Sequence, residues 1–303
     1  MRAELCAALL ARSGRHNMVC LTGDLGFMAL EPLRERLGER FINCGVAEQN
    51  LVGAAAALAH EGMEVWVYTI APFAYARAFE QIRNDVCPQG LPVRLLGNGG
   101  GYGYGVMGPT HHALEDYGVL LTLPGVTAHV PAFDEDIAPV VERAAAAAGP
   151  CYIRLGRGEL PARTRLPPYA PWRRLAAGEG PVVVAAGPLA GVAWSAVDAL
   201  ANLRPELWVV SELPLSANPP PAALAERIAC SGRLCVIEEH VAQGGVGAML
   251  AVWALNAGIA VPRFRHLHAA GYPSHLYGSQ AFHRRESGLD AGSIRQALLA
   301  LAA

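Results

Sequence analysis

Charge is what this 303-residue sequence has least of. Asp, Glu, Lys and Arg together make 17% of it and leave a formal net charge of −2. That balance excludes nucleic acid and an anionic membrane surface as electrostatic partners. Long apolar runs are missing too. The longest, Pro181 to Val197, is broken by Gly187-Pro188 and by Gly191, too short and too interrupted to span a bilayer. Met1 to Arg15 carries Glu4 and lacks a continuous apolar centre, which argues against a secretory leader. The seven cysteines are scattered and form no C-x-x-C pair. An odd, dispersed set is expected of reduced thiols in a cytoplasm rather than of a disulfide framework. What the chain does have is apolar residues, 52% of the total, enough for large cores and an extensive interface.

Those residues fall into strands alternating with helices. Buried strands are expected at Met18 to Thr22, Phe41 to Asn43, Val65 to Ile70, Val93 to Gly97, Val126 to Val130 and Cys151 to Leu155. Helices are expected at Arg2 to Ser13, from Glu48 to His60, and at Ala74 to Asp85, Leu114 to Leu121 and Glu135 to Ala148. Pro161 to Pro171 then holds four prolines and no apolar period, and reads as an extended linker. Beyond it the alternation restarts, with strands at Val182 to Ala186, Leu207 to Ser211 and Leu234 to Glu238. Helices between and after them are expected at Gly191 to Leu203, Ala222 to Ser231, Gly245 to Ala257 and Ser293 to Leu301. The fold class is therefore α/β, two layered units with parallel or mixed sheets. The expected division is residues 1–160, a linker over 161–178, and a smaller unit over 179–303.

Three stretches carry polar groups in suggestive places. The first runs from Phe41 through Gly45 into Leu51 to His60. Glu48 falls in the first turn of an uncharged, Ala-rich helix, where the helix dipole favours a carboxylate. The residues alone leave two readings open, an exposed capping Glu or a buried one that needs a partner. The second, Gly105 to Asp116, places His111 and His112 just before a helix. One imidazole could cap the helix while the other meets solvent, and zinc would need a His/Cys cluster that does not accompany them. The third, the Gly-rich run Gly99 to Gly108, is a poor dinucleotide loop, since no helix follows it at once. It reads as flexible backbone near a site.

The strings GVAEQN, FEQIRND and GPTH followed by ED occur in that order and resemble the transketolase family of thiamine diphosphate enzymes. The resemblance runs from about Met18 to the last helix. It covers the family's pyrimidine-binding domain and, through VIEEHVAQGGVG and GYPSHLYGSQ, its C-terminal domain. It implies a role for Glu48: sharing a proton with pyrimidine N1′, so that the cofactor's own imine takes the thiazolium C2 proton. It implies that Phe73 stacks on the aminopyrimidine, with Ile70 and Ala76 where the family has further aromatics. His111 is implied to bond or shuttle a proton to the substrate oxygen. Asp24 matches the aspartate closing the first strand, and Arg157 an arginine that grips a substrate phosphate. Glu238, Glu239 and His240 fall in a region that is mainly structural and interfacial in the family.

The departures are as informative. The family's N-terminal domain holds Mg²⁺ and the diphosphate through a GDG segment and a later Asn, and no GDG is found here. The resemblance then implies a split enzyme, in which a diphosphate-binding partner chain holds most of the Mg²⁺ site and an α2β2 heterotetramer forms. Met107 stands where sugar-phosphate transketolases carry an Asp, a glycine near Gly99 replaces a histidine, and Met28 replaces a phosphate-binding Ser. Polar donor contacts are exchanged for apolar ones, so the expected substrate is a non-standard small sugar or biosynthetic intermediate. The competing readings are the β subunit of a 2-oxoacid dehydrogenase or decarboxylase, and a non-catalytic scaffold.

Overall fold

The computed structural model of the protein describes residues 1–162 and 164–303. In chain order the first unit runs α1 (Arg2–Arg12), β1 (Met18–Thr22), α2 (Glu31–Leu37), β2 (Phe41–Asn43), α3 (Glu48–His60), β3 (Glu64–Ile70), α4 (Phe79–Gln81), β4 (Val93–Asn98), α5 (Asp116–Leu120), β5 (Thr127–His129), α6 (Ile137–Ala146) and β6 (Cys151–Arg154). The second runs β7 (Trp172–Ala176), β8 (Val182–Ala186), α7 (Leu189–Asp198), β9 (Glu206–Val210), β10 (Glu212–Leu213), α8 (Ala222–Ser231), β11 (Arg233–Ile237), α9 (Val246–Asn256), β12 (Arg263–Leu267), α10 (Gln280–Glu286) and α11 (Ala291–Ala302). No helix among the described residues is long and apolar enough to cross a membrane.

The strands assemble into two sheets, ordered β10-β5-β6-β4-β3-β1-β2 and β12-β11-β8-β9-β7. Each is parallel apart from one antiparallel edge strand, β10 on β5 and β7 on β9. A parallel sheet is covered on both faces, so its central strands are apolar without alternation. In β3 every residue from Glu64 to Ile70 is buried. One face, with Val19, Leu21, Val65, Val67 and Leu95, packs on Leu51, Val52 and Ala55 of α3. The other, with Cys20, Trp66, Leu96 and Ile153, packs on Leu5 and Leu9 of α1, Leu33 of α2 and Val140 of α6. The α/β expectation with two layered sheets holds.

Several local expectations are corrected. Residues 172–176 of the expected linker form β7, whose Arg173 makes a buried two-pronged ion pair with Asp136 at 2.7 and 2.6 Å. The expected helix Ala74 to Asp85 is interrupted. It opens with a π-helical turn over Phe73–Arg77, passes through α4, and ends in another π-helical turn over Ile82–Val86. Helix α2 was not anticipated, although Pro32 in its first turn is a start signal. The second unit is not separate from the first sheet: β10 adds its antiparallel edge, pairing Glu212 with His129 and Leu213 with Ala128.

Candidate active site

The parallel strands β1, β3 and β4 end together at their carboxyl edge, and the loops leaving that edge bring the polar side chains together, as in other open α/β sheets. The last pairs are Thr22 with Tyr68 and Ile70 with Asn98. Cys44 N–H donates to the Thr22 carbonyl at 2.9 Å, so the chain from β2 turns over the end of β1 before α3 starts. That path puts Glu48, the first residue of α3, under the loop after β1.

Glu48 is 1% exposed, which decides between its two readings in favour of the buried one. Its Oε1 accepts the Thr69 hydroxyl at 3.2 Å, and its Oε2 accepts Arg77 Nη1 at 2.6 Å. Backbone closes over it as well: a Cβ added at Gly23 would lie a tight 3.3 Å from Oε1. The Arg77 guanidinium lies over the Phe73 ring, with Cζ 4.0 Å from the centroid. Phe73 in turn meets the His111 ring at 5.3 Å, edge to face. Glu48, Arg77, Phe73 and His111 thus form one continuous chain of contacts, and Ile70 sits buried beside Thr69 at the end of β3.

The two histidines part company. His111 is partly exposed, and its Nδ1 meets the Thr110 hydroxyl at 2.9 Å. His112 is 3% exposed. Its Nε2 lies 2.8 Å from the Gly105 carbonyl, and its Nδ1 lies 2.9 Å from the Tyr272 hydroxyl. A carbonyl only accepts, so Nε2 carries the proton and Nδ1 takes that of Tyr272. Burial pushes the His112 pKa down to about 4, so the ring is neutral and structural, tying the Gly-rich loop to the second unit.

That loop is packed, not loose. An added Cβ at Gly100 would fall 2.5 Å from Arg154, and one at Gly101 would fall 2.7 Å from Glu239. Glu239, 2% exposed, accepts the Tyr102 N–H at 2.8 Å, Gln280 Nε2 at 3.0 Å and Arg284 Nη2 at 2.6 Å. The second unit therefore holds the loop that carries Tyr104, whose ring lies 5.6 Å from His111. Next to Tyr104 opens a cavity of about 500 Å³ lined by Arg2, Asn98, Gly99, Tyr104 and Arg157 among others. Asn98 donates to the Tyr104 hydroxyl at 2.7 Å on its wall.

The remaining expected residues lie further out. Asp24 is exposed with a left-handed φ of 57°, and its polar contacts are with Asn43, at 2.9 and 3.0 Å. Met28 is 95% exposed and Met107 is 52% exposed. Thr69, Arg77, Asn98 and Tyr104 were not foreseen. Arg77 closes a π-helical turn, so no α-helical spacing in the sequence marks it as a partner of Phe73.

The carboxylate and the ring suit a planar nitrogen heterocycle. Glu48 and Phe73 together hold a flat, N–H-donating group here, the Arg77 guanidinium. No cluster of three or more metal-ligating side chains occurs among the described residues.

Residues 8–163 match the family model described as transketolase, pyrimidine binding domain. Over 247 residues the chain is 32% identical to one subunit of the apulose-4-phosphate transketolase of Phocaeicola vulgatus, a match covering 80% of this chain and 78% of that protein. It is 34% identical to the 1-deoxy-D-xylulose-5-phosphate synthase of Myxococcus xanthus across 91% of this chain, but spans only 47% of that protein. A solved split gene transketolase, an inactive beta4 tetramer, superposes with a TM-score of 0.82 at 28% identity, covering 100% of this chain and 98% of that one.

Proposed function

This chain belongs to the transketolase family, and from that premise we propose that it is the pyrimidine-binding subunit of a split transketolase-like transferase. A partner chain with a diphosphate-binding domain completes the site and holds most of the Mg²⁺, in an α2β2 heterotetramer in the cytoplasm. The support for partition is length: the chain spans nearly all of a split-gene transketolase chain and most of a relative named as one subunit of its enzyme, but less than half of a single-chain synthase.

The single observation that carries the reading is the buried carboxylate of Glu48 beside the Phe73 ring. When bound, thiamine diphosphate supplies the nucleophilic carbon that carries a two-carbon ketol unit from donor to acceptor. Glu48 would share a proton with the ring nitrogen of the bound pyrimidine, and the Thr69 hydroxyl keeps its carboxylate turned inward. Phe73 offers the aromatic face, worth about 0.5–1.5 kcal/mol beyond burial and fixing the ring's orientation. His111, steadied by Thr110, exchanges a proton with the substrate oxygen. Arg157, with Arg2 across the cavity, receives an anionic end of the substrate. The exposed methyl-thioethers of Met28 and Met107 replace polar contacts, which supports a sugar other than the common ketose phosphates; the Phocaeicola vulgatus relative acts, by its name, on apulose 4-phosphate.

Calorimetry tests the split site. Thiamine diphosphate with Mg²⁺ is expected to bind weakly to this chain alone and tightly to the reconstituted pair, in which Glu48→Ala abolishes exchange of the cofactor's C2 proton with deuterium. Tight binding by the isolated chain overturns the partition.

A further inference from the structure

We propose that Arg77 is a gate on the pyrimidine pocket: its guanidinium holds the Glu48 carboxylate and the Phe73 face together, and it has to leave both for a heterocycle to take them. The proposal rests on the reading of Glu48 and Phe73 given above. Its own support is geometric. Arg77 Nη1 donates to Glu48 Oε2 at 2.6 Å while Cζ sits 4.0 Å from the Phe73 centroid. The other carboxylate oxygen is taken by Thr69. A guanidinium is flat and delocalised, so it covers the same carboxylate oxygen and ring face that a pyrimidine would cover, but it brings its own N–H where a neutral ring nitrogen brings only a lone pair. The two groups compete for one carboxylate oxygen and one ring face.

Arg77 also has somewhere to go. Its side chain is 42% exposed, against 1% for Glu48. It closes the π-helical turn Phe73–Arg77, and the next residue, Ala78, departs from helical backbone at φ −108° and ψ 19°. Such bulges recur at functional sites because the wider turn re-aims a side chain without ending the helix. Arg77 can thus rotate into water while Phe73 stays anchored by its buried neighbours Ala74 and Tyr75.

The exchange carries a proton signature. With Arg77 in place the pocket is electroneutral, one carboxylate against one cation. When Arg77⁺ moves into water and a neutral heterocycle arrives, the buried carboxylate loses its counter-charge. One proton from solvent then enters between the Glu48 oxygen and the ring nitrogen, and charge inside the pocket balances again.

The test titrates the isolated chain with 4-amino-5-hydroxymethyl-2-methylpyrimidine by calorimetry, in two buffers of different ionisation enthalpy. Arg77→Met is expected to lower the Kd by about tenfold, the factor by which a pocket gated shut nine-tenths of the time weakens its ligand. Wild type is expected to take up close to one proton per ligand bound, and Arg77→Met distinctly less. Arg77→Lys keeps the charge but not the flat face, and is expected to fall between them; it carries the test should Arg77→Met fail to fold. Equal or weaker binding by both variants makes Arg77 a positioning residue and overturns the gate while leaving the pocket's assignment intact. Binding by none of the three proteins at millimolar ligand overturns that assignment, and the gate with it.

Discussion

The Glu48–Arg77 pair is expected to respond very differently to loss of one partner or the other. Arg77→Met strands a carboxylate that is 1% exposed. Breaking a fully buried pair in this way costs about 3–5 kcal/mol. Two features reduce that here. The Thr69 hydroxyl still donates to Oε1, and the first turn of α3 contributes about 0.3–1 kcal/mol to a carboxylate. The expected loss is about 2–3 kcal/mol. Glu48→Gln strands a guanidinium whose side chain is already 42% exposed and simply turns to water, so the loss should stay within about 1 kcal/mol. Urea unfolding at pH 7.5 measures both. The double variant should resemble Glu48→Gln alone, because the stranded charge is gone. Equal costs for the two single variants, or a larger one for Glu48→Gln, refute the placement of this carboxylate in a dry pocket.

Other consequences are as direct. Glu239→Gln removes the charge that accepts Tyr102, Gln280 and Arg284, and is expected to lower the urea-derived stability by about 2–3 kcal/mol, less if Arg284 rehydrates. Acid should destabilise the protein early. Burial holds His112 down to about 4 and lowers His129 and His240, so below the ordinary histidine range the unfolded chain binds protons that the folded one refuses. Stability is then complete above about pH 6.5 and falls as pH drops toward 4, a slope that thermal melts should show and that His112→Asn should flatten. Gly97→Ala would bring a Cβ to 2.5 Å from the Tyr152 ring, which is fully buried and anchored to Asp116 at 2.7 Å; a loss of about 1–3 kcal/mol or a drop in soluble yield is expected.

What could be read in the chain and what could not divide along sequence distance. The central strands were legible because a parallel strand buried on both faces writes its burial as an unbroken apolar run, as Val65 to Ile70 does. Strand β7 was not, because an antiparallel edge strand behind four prolines has no such run, and its bulge between Arg174 and Ala176 breaks the alternation. The Gly-rich run announced a turn, but what demands its glycines is Arg154 and Glu239, far along the chain, and nothing local distinguishes a loop that must be close-packed from one that is free. The same holds for the site. A helix N-terminus accounts equally well for an exposed Glu48 and a buried one. The choice falls to Thr69 and Gly23, on two other elements, and to Arg77, displaced from α-helical register by a π-turn that leaves no periodic trace. Motif resemblance pointed to Glu48, Phe73 and His111 because a motif records residues already selected to meet in space. Physical pattern along the chain points to elements, and the residues that close a site from neighbouring elements become visible only once those elements are packed.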